Sequence, residues 1–247
     1  MYKVELSASP KKEPQMTAPA ALIVSHGQPS DPHVAEAELS QFAARVARHL
    51  PGRHVGAATL AQPGALDSAL AVAGPAPVVY PLFMTEGWFT GEALRKRLAC
   101  APQARVLRPL GVSPDLPALA ADLLHDKIAG AGWKPGETRL FVAAHGSGRS
   151  ANSARDTRAF AAALARHIAL AEIRVGFVEE SPYLAEAATG LGERCLCLPF
   201  FAAARGHVTD DLPEALDAAG FAGLRLAPLG LAPAVPALVA RAIAALR

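Results

Sequence analysis

A chain of 247 residues, 51% hydrophobic and 19% charged, with a formal net charge of +2, has the balance of a globular protein and is too weakly basic to argue for nucleic acid. Its three cysteines, Cys100, Cys195 and Cys197, do not make a secreted disulfide framework. No charge-free apolar run approaches the ~20 residues of a membrane span, and no apolar h-region follows the basic start, so the expected location is the cytoplasm.

From the amino end, MYKVELSASPKKEPQMTAPA shows no periodicity, and residues 1–19 read as a disordered tail. The first strand, ALIVSHG, ends at His26-Gly27, and an Ala-rich amphipathic helix follows in VAEAELSQFAARVARHL. A second strand (RHVGAATL), a helical stretch and a third strand (VVYPLF) come next. A helix, a strand reaching PLGVSPDLPAL at 109–119 and a closing helix complete the series. The series then repeats. LFVAAHG places His145 119 residues after His26, LCLPFF places Pro199 118 after Pro81, and PLGLAPAVPAL starts at Pro228, 119 after Pro109. Three landmarks in one order at nearly one offset mark an internal duplication.

Strands alternating with helices predict an α/β fold of two similar three-layer αβα domains with parallel sheets. Their continuously apolar strands fit sheets covered on both faces. The Gly- and Pro-rich AGAGWKPGET suggests the division: 20–132 for the first half and 133–247 for the second. The prolines of each PLG element fit a turn leading into a helix, and the elements read as punctuation that carries no chemistry. Cys195 and Cys197 alternate along RCLCLPFF, as two small buried apolar residues would.

Ligands of open parallel sheets bind beyond the carboxyl ends of the strands. In the second half the first strand ends at His145, followed by Gly146, Ser147, Gly148 and Arg149. The second ends at Glu179 and Glu180. The third passes Pro199 and Phe200 and reaches Arg205, Gly206 and His207. Two imidazoles and a carboxylate converging on one rim suit a borderline divalent cation, and imidazole is a general base near neutral pH. The first half keeps His26, but reads GAATLAQP where the carboxylate would stand and Gly87-Trp88 where Gly206-His207 stands. Glu180 and Asp211 read as solvated or helix-capping. The run Gly146-Ser-Gly148-Arg-Ser-Ala151 also matches a dinucleotide-binding G-x-G-x-x-A, with Glu179 as the ribose acid. That reading leaves both histidines unused.

HGS at 145–147, FVEESP at 177–182 and LPFF…GHVTDDLP at 198–213 resemble the class II tetrapyrrole chelatases, nearest the sirohydrochlorin chelatases of the CbiX/SirB type. The resemblance covers both halves from about Ala20 to the end, and is specific in the second. It implies a chelatase-like fold and insertion of Co²⁺ or Fe²⁺ into sirohydrochlorin or a related tetrapyrrole. It places the family's functional residues on His145, Glu179 and His207, as catalytic groups and metal ligands. A further histidine common in the family falls at Asp210. The divalent metal, Co²⁺, Fe²⁺ or Ni²⁺, is then a substrate, and no cofactor is obligatory. Ser147, Arg149, Arg205, Trp88, Phe200 and His26 are the expected substrate-binding residues, with guanidinium groups for the ring's carboxylates and aromatic rings for its faces. The duplication supplies an internal pseudo-dimer compatible with a monomer. The other reading the residues allow is a binding protein that stores or hands over metal or tetrapyrrole without catalysis.

Overall fold

The computed structural model describes residues 18–246, so the tail expected at 1–19 lies outside it but for Ala18 and Pro19. The apolar runs near 21 and 139 become interior strands of two four-stranded sheets. In the first, β1 (Ala21–Ser25) lies between β2 (Val55–Thr59) and β3 (Val78–Pro81), with β4 (Arg105–Val106) beyond β3. In the second, β5 (Arg139–Ala144) lies between β6 (Glu172–Phe177) and β7 (Cys195–Pro199), with β8 (Leu224–Arg225) beyond β7. Every strand pair is parallel. The two sheets therefore share one topology, as the repeated sequence requires.

Alternate side chains of each sheet separate into an outer and an inner core. Leu22 and Val24 face outward and pack with Leu66 and Leu70 of α2 (Ala65–Ala73) and Leu94 of α3 (Leu94–Arg97). Phe141 and Ala143 do the same against α6 (Leu184–Ala188) and α7 (Leu212–Ala218). The opposite faces, with Ile23 on one sheet and Val142 on the other, meet in a single inner core. Between them lie α1 (Pro32–Ala47), α4 (Leu116–Gly130), α5 (Asn152–Leu164) and α8 (Val235–Ala245). Helix α1 packs on α8, and α4 on α5. Each half is thus a three-layer αβα unit, and the two units join helix to helix.

Polar ties reinforce this junction. Asp156 on α5, only 6% exposed, accepts the Glu86 N–H of the first half at 2.8 Å and the Arg155 Nε–H at 3.0 Å. A buried carboxylate is tolerated when its lone pairs are taken up in this way. Arg53 donates to the Ile243 carbonyl at 2.9 Å.

The PLG elements do more than punctuate. Each forms a short 3₁₀ turn, Leu110–Val112 and Leu229–Leu231, whose leucine is fully buried in the inner core. The glycine then presses against the loop that follows β3 or β7. Gly111 N–H donates to the Phe83 carbonyl at 3.0 Å, and Gly230 N–H to the Phe201 carbonyl at 2.9 Å. A Cβ on Gly111 would lie 1.8 Å from the Met84 carbonyl oxygen, and one on Gly230 would lie 2.4 Å from that of Ala202. Only glycine permits this approach. In the second half the clamped loop leads to His207, so the element, which carries no chemistry itself, supports the loop that bears a candidate site residue.

Cys195 and Cys197 are buried in the outer core. Burial pushes both thiols up to about 12, so they stay protonated and pack as apolar groups. Among the described residues no helix is long and apolar enough to cross a membrane.

Candidate active site

The β5–β6 ladder continues past the ends of both strands. Val178 N–H donates to the Ala144 carbonyl and Glu179 N–H to the His145 carbonyl at 2.9 Å. This pairing fixes Glu179 beside His145. The next residue, Gly146, has φ +70°, where an added Cβ would meet the Phe177 Cβ at 2.8 Å and the Glu180 side chain at 3.0 Å. Glycine therefore lets the loop turn tightly over β6. In that turn the Ser147 N–H donates to Glu180 Oε1 at 2.8 Å. Glu180, partly exposed, is thus a loop-holding group and no helix cap. Its carboxylate also occupies the amide that a dinucleotide phosphate would use, which removes the dinucleotide reading.

His207 opens a π-helical turn, His207–Asp211, that runs directly into α7. Its Nδ1 lies 2.5 Å from Asp211 Oδ2. Asp211 therefore orients a site histidine instead of capping a helix. The signal is present in the sequence: a carboxylate four residues after a histidine at a helix start lies on the same face. His145 Nδ1 lies 3.0 Å from the Gly146 carbonyl and 3.8 Å from Glu179 Oε2. A carbonyl oxygen accepts, so the 3.0 Å contact places the proton on Nδ1 and leaves a lone pair on Nε2, while Glu179 lies just beyond hydrogen-bond distance.

The two imidazoles stand edge to face, 89° between planes and 4.5 Å between centroids. The structure brings His145, Glu179 and His207 together, each side chain 42–47% exposed. They do not form a closed metal shell: among the described residues no three His, Cys, Asp or Glu side chains stand as a formed metal centre. Glu179 approaches His145 through Nδ1, the side already engaged by a carbonyl. What the arrangement offers is two Nε2 lone pairs, the His207 ring held at Nδ1 by Asp211 and the His145 ring by the Gly146 carbonyl, with Glu179 3.8 Å away.

Beside them lies a cleft of about 860 Å³ between the two halves. Its wall includes His145, His207 and Arg205 from the second half, and His26 and one face of α1 from the first. The other expected substrate-binding residues distribute differently. Ser147 and Arg149 lie off the cleft wall, where Arg149 N–H donates to Ser147 Oγ at 3.2 Å and the pair shapes the loop after β5. Trp88 is 60% exposed and also lies off the wall. Phe200 borders the cleft but is 1% exposed, its ring packed on Phe160 with centroids 4.5 Å apart. Strand parity explains this, because Phe200 shares the inner face of Leu196 and Leu198. Arg205 lies on the wall, but its guanidinium is paired with Glu38 of α1. His26 faces the cleft too, and partial burial, with the Arg97 guanidinium adding to it, holds it below the usual imidazole range.

Residues 139–246 match the family model CbiX. The solved structure of CbiX, described as the terminal enzyme for siroheme biosynthesis in denitrifying bacteria, is 50% identical to this chain. The match covers 92% of this chain and 99% of that one, with a TM-score of 0.85. The chain belongs to the CbiX family. A multi-domain protein from Deinococcus radiodurans, with structural similarity to chelatases, is 24% identical over 93% of this chain and 54% of its own, with a TM-score of 0.69. SirB from Bacillus subtilis with Fe³⁺ shares the CbiX-type fold at 15% identity, over 91% of this chain and 94% of that one, with a TM-score of 0.72. No curated protein matches the chain. What the motifs did not disclose at this candidate site are the supporting roles of Glu180 and Asp211 and the part of the first-half wall that helix α1 supplies.

Proposed function

We propose that this chain is a sirohydrochlorin chelatase that inserts Co²⁺ or Fe²⁺ into the macrocycle, with residues 133–247 as the working half and 20–132 as the opposing wall. The observation that carries this reading is the pair of edge-to-face imidazoles, both holding Nδ1–H against an acceptor, on the wall of an 860 Å³ cleft. It is supported by 50% identity to CbiX over nearly the whole chain.

The reaction takes a divalent ion and a macrocycle carrying two pyrrole N–H groups, and yields the metallated ring and two protons. The incoming ion sheds water as ring nitrogens replace it. His145 and His207 Nε2 receive the ion or the protons, in succession, because one lone pair serves only one partner at a time. A protonated imidazole is then stabilised by its carboxylate, Glu179 for His145 and Asp211 for His207. Both carboxylates are near half exposed, which gives the protons a route to water. General-base assistance of this kind contributes about 10²–10⁴ in rate.

The direct test mixes purified protein, sirohydrochlorin and Co²⁺ or Fe²⁺ and follows the absorption change on metallation. A rate well above the protein-free mixture is expected. Tight binding of the macrocycle without acceleration would sink the enzymatic reading in favour of a carrier. Asp211→Ala, which leaves His207 without its acceptor, should lower the insertion rate about 10- to 100-fold, as loss of partners that orient metal-binding histidines does. Its thermal unfolding should stay near wild type, since Asp211 is half exposed. An unchanged rate would remove Asp211 from the mechanism.

A further inference from the structure

The first half has lost the carboxylate and second histidine of its own site, yet its helix α1 forms one wall of the cleft. Glu38, Gln41, Phe42 and Arg45 all lie on that wall. They are spaced i, i+3, i+4 and i+7, so they form one stripe along the helix. At 1.5 Å per residue, Arg45 stands about 10 Å further along the axis than Glu38. The stripe therefore places Arg45 about two helical turns from Glu38, the residue paired with Arg205.

The two guanidinium groups on the wall are in different states. Arg205 is paired with Glu38, with a side chain only 27% exposed. Arg45 has no carboxylate partner among the described residues. Its guanidinium lies over the Phe42 ring, 5.5 Å from the centroid, and Phe42 is itself buried. Stacking on a fixed ring restrains the guanidinium without using its N–H donors. The cleft wall therefore bears the imidazoles, Asp210 and Asp211 and, two turns along α1 from the Arg205–Glu38 pair, a cation with no carboxylate partner among the described residues.

We propose that Arg45 is a specificity-determining residue that binds a peripheral carboxylate of the macrocycle and so anchors the ring in the cleft that His145 and His207 line. The inference rests on the chelatase reading above. The first half then recognises the substrate's edge, while the second half does the chemistry. An anionic arm finds in Arg45 a cation open to pairing, whereas Asp210 and Asp211 on the same wall would repel it. A bidentate guanidinium–carboxylate pair supplies direction as well as attraction.

The test measures binding of metal-free sirohydrochlorin by absorption titration, then insertion kinetics with Co²⁺. Arg45→Ala is compared with wild type and with Arg48→Ala, an exposed arginine of the same helix end that lies off the cleft wall. Arg45→Ala should weaken binding and raise KM about tenfold with kcat little changed, as loss of a charged hydrogen bond made equally in ground and transition states would. Arg48→Ala should match wild type. The fully esterified macrocycle should bind wild type and Arg45→Ala alike, because it offers no carboxylate. Equal binding of the free acid by wild type and Arg45→Ala would overturn the proposal, as would an equal loss for acid and ester, which would reduce Arg45 to packing. Failure of wild type to bind the free acid at all would instead overturn the chelatase reading on which it rests.

Discussion

Replacing His207 with alanine should lower the rate of metal insertion at least about a hundredfold, the low end of what a general base contributes, while leaving the fold intact. The side chain is 42% exposed, and its one polar contact is to Asp211, itself half exposed, so little packing is lost and no buried group is orphaned. His145→Ala should behave alike, because the two rings touch at 4.5 Å and share one wall. His26→Ala is the internal control. It removes the equivalent residue of the other half, whose sequence reads GAATLAQP and Gly87-Trp88 where the second half has Glu179 and His207, and it should lose far less. The measurement is the initial rate of absorption change with sirohydrochlorin and Co²⁺, beside a thermal melt of each variant. A crippled His26→Ala with an active His207→Ala would show that the chemistry had been assigned to the wrong half.

The second large effect belongs to a residue with no side chain. Gly230→Ala should destabilise the protein by about 1–3 kcal/mol, the usual cost of forcing an extra group into a packed site. The new Cβ would sit 2.4 Å from the Ala202 carbonyl oxygen, and the obstacle is backbone, so no rotamer change relieves it. The segment that must move leads to Arg205 and His207. Insertion should therefore fall further than the lost stability explains, even at temperatures where the variant is fully folded. Gly111→Ala makes the matching clash in the first half, 1.8 Å from the Met84 carbonyl oxygen, and should cost stability with a smaller effect on rate. Denaturant midpoints give the stability, and rates on folded protein give the coupling. A Gly230→Ala variant that loses stability but keeps its turnover would separate the PLG clamp from the site.

Particular residues show how far the motifs carry. His145, Glu179 and His207 are legible because strand ends are legible, and a parallel sheet brings its strand ends to one rim. Phe200 reads from its motif as a ring-facing wall, although alternation with Leu196 and Leu198 already puts it on the inner face. Asp211 reads as solvated or as a cap, although its spacing from His207 matches a helical pair. Arg205 and Arg45 are beyond that kind of inference. Whether a guanidinium is occupied depends on a carboxylate far away in the chain; for Arg205 it is Glu38, 167 residues distant.

The amino-acid sequence by itself determined the duplication, the parallel α/β class of each half and the identity of the three polar groups at the strand ends. Those follow from local periodicity and from where strands must stop, and both are written in neighbouring residues. Only the tertiary structure decided that the halves share one inner core, that the PLG glycines clamp the loops after β3 and β7, and that helix α1, and not Trp88, supplies the first half's side of the cleft. These depend on how two helical faces far apart in the chain dock against each other, and that docking is set by the summed shape of both surfaces, which no single segment carries.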